Sequence, residues 1–273
     1  MDYILMLLVL VVLVGLFLLQ PGRVRAAQVK PFEGRNYAHR GLHTKDKSIP
    51  ENSLPAFAAA VQAGYGMELD VQLSKDGKLV VFHDDTLERV TGVQGRVDAY
   101  DWEELQEMKL CGSQERMPLF RELLETVGGK TPLIVELKSG PRNRELCEKT
   151  LEMLRDYEGD FCVESFDPTI VAWFKKNAPD ILRGQLADSY AGYRKSGAGP
   201  VGAFVLSRCL GNCIARPQFI AWGPNKKNAA VKFAEMFGPM KVFWTAHPEM
   251  NLEKLQSEYD SVIFEFYTPP AKY

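Results

Sequence analysis

The stretch MELDVQLSKDGKLVVFHD, Met67–Asp84, decides the fold. It contains two strand-like apolar runs, Met67–Leu73 and Leu79–His83, and the Asp76-Gly77 pair between them is typical of a turn. The connection is too short for a helical crossover between parallel strands. We therefore expect the second run to pair antiparallel with the first, as a local hairpin within a larger sheet.

Downstream of this hairpin, strand-like and helical patterns alternate. The further predicted strands are Pro132–Lys138, Phe161–Phe166, Ile181–Leu186, Phe219–Trp222, Val242–Ala246 and Ser261–Phe266. Regular β-then-α alternation over about 235 residues implies parallel strands joined by helical crossovers. That length in one domain fits an α/β fold of the (β/α)8 TIM barrel type better than a doubly wound sheet, and the sequence contains no Gly-rich dinucleotide-binding turn.

Two predicted helices carry recognisable start signals. Asn52 is a candidate N-cap for a helix that ends at Gly64. The apolar positions of this helix are Leu54, Phe57, Ala58 and Val61. Asp101 and Glu104 have the spacing of a capping box, which predicts a second helix start.

Length and composition limit the possible classes of protein. With 273 residues, of which 46% are hydrophobic and 25% charged, the chain can bury a core and is not disordered. A net charge of −2 argues against nucleic acid as a partner, because nucleic acid favours a basic surface. The five cysteines show no metal-ligand spacing, so reduced thiols in a reducing compartment are the favoured interpretation.

The N-terminal segment predicts a membrane anchor. Tyr3–Leu19 is a run of 17 residues without a charge, at the short end of what spans a bilayer. A cleaved signal peptide would begin with basic residues. Here the basic residues come afterwards, at Arg23, Arg25, Lys30 and Arg35. We interpret the segment as an uncleaved single-pass anchor in the cell membrane with the rest of the chain cytoplasmic, and Ala26-Ala27 leaves cleavage as the alternative.

The predicted organisation therefore has three parts. Residues 1–22 form a transmembrane anchor, residues 23–35 a basic juxtamembrane linker, and residues 36–273 a barrel. The oligomeric state stays open.

Charged residues occupy one face of two predicted strands. Since side chains alternate along a strand, Glu68 and Asp70 share a face of the first strand, and Glu136 and Lys138 share a face of another. An exposed edge strand is one explanation. The other is a barrel in which these side chains point inward at the carboxyl ends of the strands, where three converging carboxylates require a cation. Oxygen ligands favour Mg²⁺ or Ca²⁺ over zinc.

Six motifs occur in a recognisable order and spacing. They are HRG (His39–Gly41), PENSLPAF (Pro50–Phe57), the opening stretch Met67–Asp84, TLERVTG (Thr86–Gly92), VELK (Val135–Lys138) and SFDP (Ser165–Pro168). Together they resemble the glycerophosphodiester phosphodiesterase family over roughly Asn36 to Leu186, and the resemblance implies a β/α barrel. Towards the C-terminus, Trp244-Thr245 is similar to a late-strand segment of that family. The family's usual aspartate on the last strand is absent, and Glu265 is its candidate replacement.

The resemblance implies a role for each charged position. It implies that one divalent cation, Mg²⁺ or Ca²⁺, is bound by Glu68, Asp70 and Glu136. Arg40 and Lys138 would hold the non-bridging oxygens of a phosphate. His39 and His83 would act as general acid and base. Trp244 is a candidate wall of the substrate pocket, with a place in the core as the alternative.

The expected activity is metal-dependent hydrolysis of glycerophosphodiesters to glycerol 3-phosphate and an alcohol. One alternative is a lysophospholipase D that acts on lysophospholipids. Another is a membrane-tethered barrel that binds phosphodiesters without turnover. The pair His39-Arg40 supports a phosphate ligand, because the cation lowers the proton affinity of the histidine unless an anion lies against both.

Other residues near these motifs receive weaker assignments. Glu51 and Asn52 either brace the site or only cap the helix that follows. Arg89 is interpreted as structural. His43 and His247 belong to no constellation in the sequence and are given no role.

Overall fold

Nine strands form one sheet in the computed structural model, which describes residues 2–273. They are β1 Arg35–Ala38, β2 Gly66–Leu73, β3 Leu79–Val81, β4 Leu133–Leu137, β5 Phe161–Ser165, β6 Arg183–Ala187, β7 Phe219–Trp222, β8 Met240–Ala246 and β9 Ser261–Phe264. All except β3 pair in parallel, in the order β1, β2 and then β4 to β9, and β1 pairs with both β2 and β9. This closed ring of eight parallel strands confirms the predicted (β/α)8 barrel.

Strand β3 forms the predicted hairpin with β2. The two strands pair antiparallel, with Val71 opposite Val81. Gly77 lies in the turn with a φ of +77°, a conformation that glycine adopts at no steric cost. Beyond the end of β3, the backbone N–H of Phe82 donates to the carbonyl of Asp70 at 3.1 Å. This bond brings the next residue, His83, beside the inward face of β2.

Helices α1 Asp2–Leu19 and α2 Ala26–Val29 precede the first strand, and the other helices lie in the connections between strands. These are α3 Leu54–Gln62, α4 Glu88–Thr91, α5 Trp102–Leu105, α6 Phe120–Val127, α7 Asn143–Arg155, α8 Pro168–Asn177, α9 Tyr190–Lys195, α10 Pro200–Ser207, α11 Asn212–Ala215, α12 Ala229–Glu235 and α13 Leu252–Glu258. Two 3₁₀ turns, Val97–Ala99 and Leu110–Gly112, lie in the long connection after β3. At the predicted capping box, the backbone N–H of Asp101 donates to Oε2 of Glu104 at 2.9 Å, at the start of α5.

The strands separate apolar from charged side chains between their two faces. On β2, Met67 and Leu69 are fully buried between the barrel and its helices. Ile134 of β4 belongs instead to the apolar cluster inside the barrel, together with Tyr37 of β1. Because Ile134 is the register partner of Glu68, the charged face of β2 points inward, as the alternation predicted.

Apolar side chains that precede β1 close the amino-terminal end of the barrel. Val29 and Phe32 are buried in the interior cluster with Tyr37. The carbonyl of Phe32 accepts hydrogen bonds from the hydroxyls of Tyr37, at 3.2 Å, and Ser261, at 2.7 Å. Part of the predicted linker thus completes the core, and the barrel is filled below its mouth.

The start of α3 differs from the prediction. Ser53 is the N-cap, and its hydroxyl accepts a hydrogen bond from the backbone N–H of Ala56 at 3.4 Å. Asn52 has a φ of +53°, and its side-chain amide donates to Oδ2 of Asp70 at 2.9 Å. The predicted Asn52 cap is therefore wrong, because a tertiary hydrogen bond takes this side chain into the barrel mouth.

Helix α1 covers the predicted transmembrane anchor. Its 18 residues give a length of about 27 Å, short of the roughly 30 Å of hydrocarbon in a bilayer. Across the described residues, 2–273, none of the helices combines the length and the apolar character that a membrane crossing requires. The transmembrane assignment is thus not supported. The carboxyl end of α1 contacts the barrel, where the Asn212 side chain donates to the carbonyl of Leu19 at 2.9 Å.

Candidate active site

Three carboxylates meet at the carboxyl end of the barrel strands. Glu68 and Asp70 lie on β2, and Glu136 lies on β4 directly opposite Asp70. One oxygen from each side chain lies within 4.8 Å of the other two, and all three residues are buried. The strand register thus brings together the acidic residues that the sequence pattern placed on inward faces.

Burial and charge repulsion control the protonation of this cluster. Burial and the charge of Asp70 raise the pKa of Glu68 well above its ordinary value. Burial also raises the pKa of Glu136, although Lys138 opposes this shift. Burial acts to raise the pKa of Asp70 as well, but His83 and Lys138 outweigh it and lower that pKa. Without a cation among them, burial and mutual repulsion therefore oppose ionisation of all three acids together.

Two cations lie against the carboxylates and line the same cleft. Nζ of Lys138 is 2.8 Å from Oε1 of Glu136 and 3.4 Å from Oδ1 of Asp70. Nη1 of Arg40 donates to Oε1 of Glu51 at 2.6 Å, and Nε of Arg40 lies 3.6 Å from Oδ2 of Asp70. An anion that enters the cleft can therefore contact a guanidinium and an ammonium group together.

The carboxylate cluster fits a divalent cation. Oδ1 of Asp70 is buried and accepts no hydrogen bond from any residue that the structure describes, 2–273. Carboxylate oxygens are the hard ligands that Mg²⁺ and Ca²⁺ prefer. A divalent ion would also offset the repulsion that raises the pKa of Glu68. The cluster of Glu68, Asp70 and Glu136 can thus hold one such ion.

His39 follows β1 and lies between two carboxylates. Its Nδ1 is 2.9 Å from Oε2 of Glu265, and its Nε2 is 3.8 Å from Oε2 of Glu68. Burial acts to raise the pKa of Glu265, but its contacts with His39 and His43 lower that pKa. An ionised carboxylate only accepts hydrogen bonds, so Nδ1 of His39 carries the ring proton. Burial and the adjacent Arg40 lower the pKa of His39 to about 4, which leaves Nε2 as a free proton acceptor at neutral pH.

A chain of ion pairs links His83 to Arg40. Nδ1 of His83 is 2.6 Å from Oδ1 of Asp84, and Nε of Arg89 donates to Oδ2 of the same carboxylate at 2.5 Å. Arg89 also donates two hydrogen bonds of 2.7 Å to Glu51. Burial acts to raise the pKa of Glu51, but Arg89 and Arg40 lower it to about 2. Arg89 thus bridges Glu51, which pairs with Arg40, and Asp84, which pairs with His83.

A cleft of about 780 Å³ is lined by Arg40, His83, Glu136 and Lys138 and has an aromatic wall. Trp244 and Phe166 pack edge to face with ring centroids 5.5 Å apart, and Phe166 packs in the same way on Tyr193. Nε1 of Trp244 is buried and has no hydrogen-bond partner in the described part of the chain, residues 2–273. Trp244 is one of the residues that line the cleft.

One acidic residue of the mouth was not predicted from the sequence. Glu164 of β5 lies opposite Glu136, is 2% exposed, and has an Oε2 atom without a hydrogen-bond partner within residues 2–273. Burial and the charge of Glu136 raise its pKa well above the ordinary value. A signal was available in the sequence, because alternation in FCVESF puts Glu164 on the same face as Cys162 and Phe166.

Two histidines without a predicted role also reach the mouth. Nε2 of His43 and Nδ1 of His247 each lie 3.5 Å from an oxygen of Glu265. They are far apart in the sequence, and only the pairing of β9 with β1 and β8 brings them together. No local pattern could have shown this contact.

The fold and the site together define a class of protein. A closed parallel barrel whose mouth holds carboxylates, two cations and four histidines is suited to bind a metal ion and a phosphate ester together. The family model for glycerophosphoryl diester phosphodiesterases matches residues 39–266, and the chain belongs to this family. The predicted family is therefore confirmed.

Individual proteins resemble the chain in sequence and in fold. A glycerophosphodiester phosphodiesterase of Caldanaerobacter subterraneus subsp. tengcongensis is 37% identical over 162 residues, which cover 55% of this chain and 65% of that protein. The lysophospholipase D GDPD1 of Rattus norvegicus is 31% identical over 156 residues, covering 52% and 48%. The chain thus spans less than two thirds of either relative. The structure of an Oleispira antarctica phosphodiesterase in complex with the product sn-glycerol-3-phosphate matches with a TM-score of 0.70 at 23% identity, covering 87% of this chain and 95% of the other.

Proposed function

We propose that this protein hydrolyses glycerophosphodiesters to glycerol 3-phosphate and an alcohol, with a divalent cation as cofactor. One observation carries the proposal: the cleft over the buried carboxylates is lined by both a cation pair, Arg40 and Lys138, and a histidine, His83. Family membership and the phosphodiesterase relative support the same activity.

The charges of the site favour a singly charged diester. We propose that the ion is held by Glu68, Asp70 and Glu136, and that Arg40 and Lys138 contact the non-bridging oxygens of the phosphate. When bound, the cation draws negative charge from the phosphate and so stabilises the transition state. Three carboxylates, a divalent ion and two side-chain cations sum to +1, which one diester anion neutralises. Glu164 is left out of this sum because burial and the charge of Glu136 raise its pKa and so disfavour its ionised form.

The two histidines are suited to opposite proton transfers. We propose that Nε2 of His39 accepts the proton of the attacking hydroxyl group. This group is either a water molecule or the glycerol hydroxyl next to the phosphate ester. His83 gives a proton to the leaving alkoxide, and the pairing of its Nδ1 with Asp84 stabilises the charged ring that this step requires. Glu265 holds His39 in the tautomer that exposes Nε2.

The aromatic wall favours a second candidate substrate. Trp244, Phe166 and Tyr193 offer an apolar surface next to the phosphate-binding cations, which suits the chain of a lysophospholipid. The rat relative is named as a lysophospholipase D. Lysophospholipase D activity is therefore the alternative that the cleft supports. The third alternative is a barrel that binds phosphodiesters without hydrolysing them.

One assay separates these proposals. The full-length protein is incubated with glycerophosphocholine and, in parallel, with lysophosphatidylcholine, each with Mg²⁺ or Ca²⁺. Release of glycerol 3-phosphate from the first substrate is the expected result, and preferential release of choline from the second would favour the lysophospholipase D. Binding of both compounds with no turnover under either ion would refute hydrolysis.

A cytoplasmic position of the barrel is a further proposal. It rests on the five free cysteines, which suit a reducing compartment. In intact cells, a protease added outside should leave the barrel uncut. Its degradation there would contradict this location.

A further inference from the structure

Glu265 is surrounded by three of the four histidines of the chain. Its Oε2 is 2.9 Å from Nδ1 of His39 and 3.5 Å from Nε2 of His43. Its Oε1 is 3.5 Å from Nδ1 of His247. These side chains follow the adjacent strands β1, β9 and β8, so the cluster lies beside the carboxylates of β2 and β4 and is built from other residues.

The spacing of this cluster suits a small metal ion. One ligand atom from each of His39, His43 and Glu265 lies within 4.8 Å of the other two. Ligand atoms about 2.0–2.1 Å from a tetrahedral ion lie roughly 3.4 Å from one another, which small side-chain rotations would achieve here. Two imidazole nitrogens and one carboxylate oxygen favour a transition metal such as Zn²⁺, in contrast to the all-oxygen carboxylate cluster.

The ring of His43 is an independent indication of a ligand. Its side chain is only 7% exposed, and Nε2 makes no hydrogen bond to any residue in the described range, 2–273. A buried polar nitrogen without a partner is destabilising. Phe266 packs on this ring, with centroids 5.1 Å apart, and stacks on His247, with centroids 6.2 Å apart. The aromatic contacts hold both rings towards Glu265.

We propose that His39, His43 and Glu265 form a second metal site that binds a transition-metal ion, with Zn²⁺ as the expected one, and that its occupation inhibits the enzyme. His247 contacts the other oxygen of Glu265 and lies outside this set of three ligands. Inhibition rests on the proposed function, because it acts through His39.

The inhibition follows from the two nitrogens of His39. When the ion takes the lone pair of Nδ1, the proton of Nδ1 is lost to water and Nε2 takes one up, so the ring gains no net charge. The new N–H then faces Oε2 of Glu68, now 3.8 Å away, and a carboxylate in this position typically supports a metal-bound histidine. A ring with a metal ion on one nitrogen and a proton on the other cannot accept the proton of an attacking hydroxyl.

Direct metal binding tests the site. The full-length protein, kept in excess Mg²⁺ to fill the carboxylate cluster, is titrated with Zn²⁺ by calorimetry and with Co²⁺ by visible absorption, which reports tetrahedral coordination. The wild type is expected to bind one ion, and His43→Ala to bind it at least about tenfold more weakly. His83→Ala removes the histidine outside the cluster and should bind Zn²⁺ as the wild type does.

Turnover provides the second measurement. The rate of each protein with Zn²⁺ is divided by its own rate without Zn²⁺, and this ratio should fall steeply for the wild type and little for His43→Ala. Equal Zn²⁺ affinity of these two proteins, or no binding in excess Mg²⁺, would overturn the site. Binding that depends on His43 without inhibition would overturn the inhibitory role. If no diester is hydrolysed at all, the proposed function fails while the calorimetry still decides the site.

Discussion

The contact between Glu265 and His39 yields the sharpest prediction about the reaction. Glu265→Gln keeps the size of the side chain and an oxygen that can accept from Nδ1 of His39, now 2.9 Å away, but removes the negative charge. The variant should fold normally. It should lose the charge that stabilises His39 when the ring becomes protonated in the transition state.

The size of the effect follows from the hydrogen bond that is weakened. A hydrogen bond to a charged group contributes about 1.5–3 kcal/mol, and each 1.36 kcal/mol corresponds to a tenfold change in rate. We therefore expect kcat to fall by roughly 10- to 100-fold. KM should change little, because Glu265 is not among the groups proposed to contact the phosphate.

The pH profile gives a second signature of the same contact. If His39 is the base, the acidic limb of kcat/KM reflects its pKa of about 4 in the free enzyme. The carboxylate of Glu265 stabilises the protonated ring and so raises this pKa, against the larger effects of burial and Arg40. Its removal should therefore shift the acidic limb to lower pH.

Steady-state kinetics on glycerophosphocholine between pH 3 and pH 9, with thermal unfolding to verify the fold, measures both quantities. Glu249→Gln is the matched control, since Glu249 is an exposed glutamate close in sequence to His247. An unchanged kcat together with an unmoved acidic limb in Glu265→Gln would refute the role given to this contact.

Three further outcomes are expected. Removal of divalent ions by a chelator should abolish turnover and lower the midpoint of thermal unfolding. Mg²⁺ or Ca²⁺ at a hundredfold excess over its Kd should restore about 2.7 kcal/mol of stability. An unfolding midpoint that does not change with either ion would argue against the carboxylate site. Ser53→Ala should lower the free energy of unfolding in urea by about 1 kcal/mol, because the α3 cap is lost. Asn52→Ala should instead reduce turnover, because its hydrogen bond to Asp70 is lost. The reverse pattern would contradict the capping assignment. His83→Ala should lower kcat by about 10²- to 10⁴-fold with an unchanged far-ultraviolet dichroism spectrum, and near-normal activity would exclude His83 as acid or base.

Local patterns predicted most of the barrel correctly. Strands β2 to β9 were recognisable because each combines an apolar run or alternation with a turn or helix signal at its end. Strand β1 was not predicted, since Arg35–Ala38 has four residues of mixed polarity and no alternation to detect. The choice between Asn52 and Ser53 as N-cap could not be made locally either, because both residue types cap helices well and only the contact with Asp70 separates them.

In the candidate site too, some features follow from the local sequence and others only from the tertiary structure. The sequence alone determined that Glu68 and Asp70 share one face of their strand, since alternation along a strand is a local property of the backbone. The closed barrel decided that this face points inward. Only the closure of the barrel decided that His39 meets Glu265, that His43 and His247 join them, and that Arg89 bridges Glu51 and Asp84. These contacts join residues distant along the chain, and their distances depend on strand register and loop conformation, which no local pattern encodes.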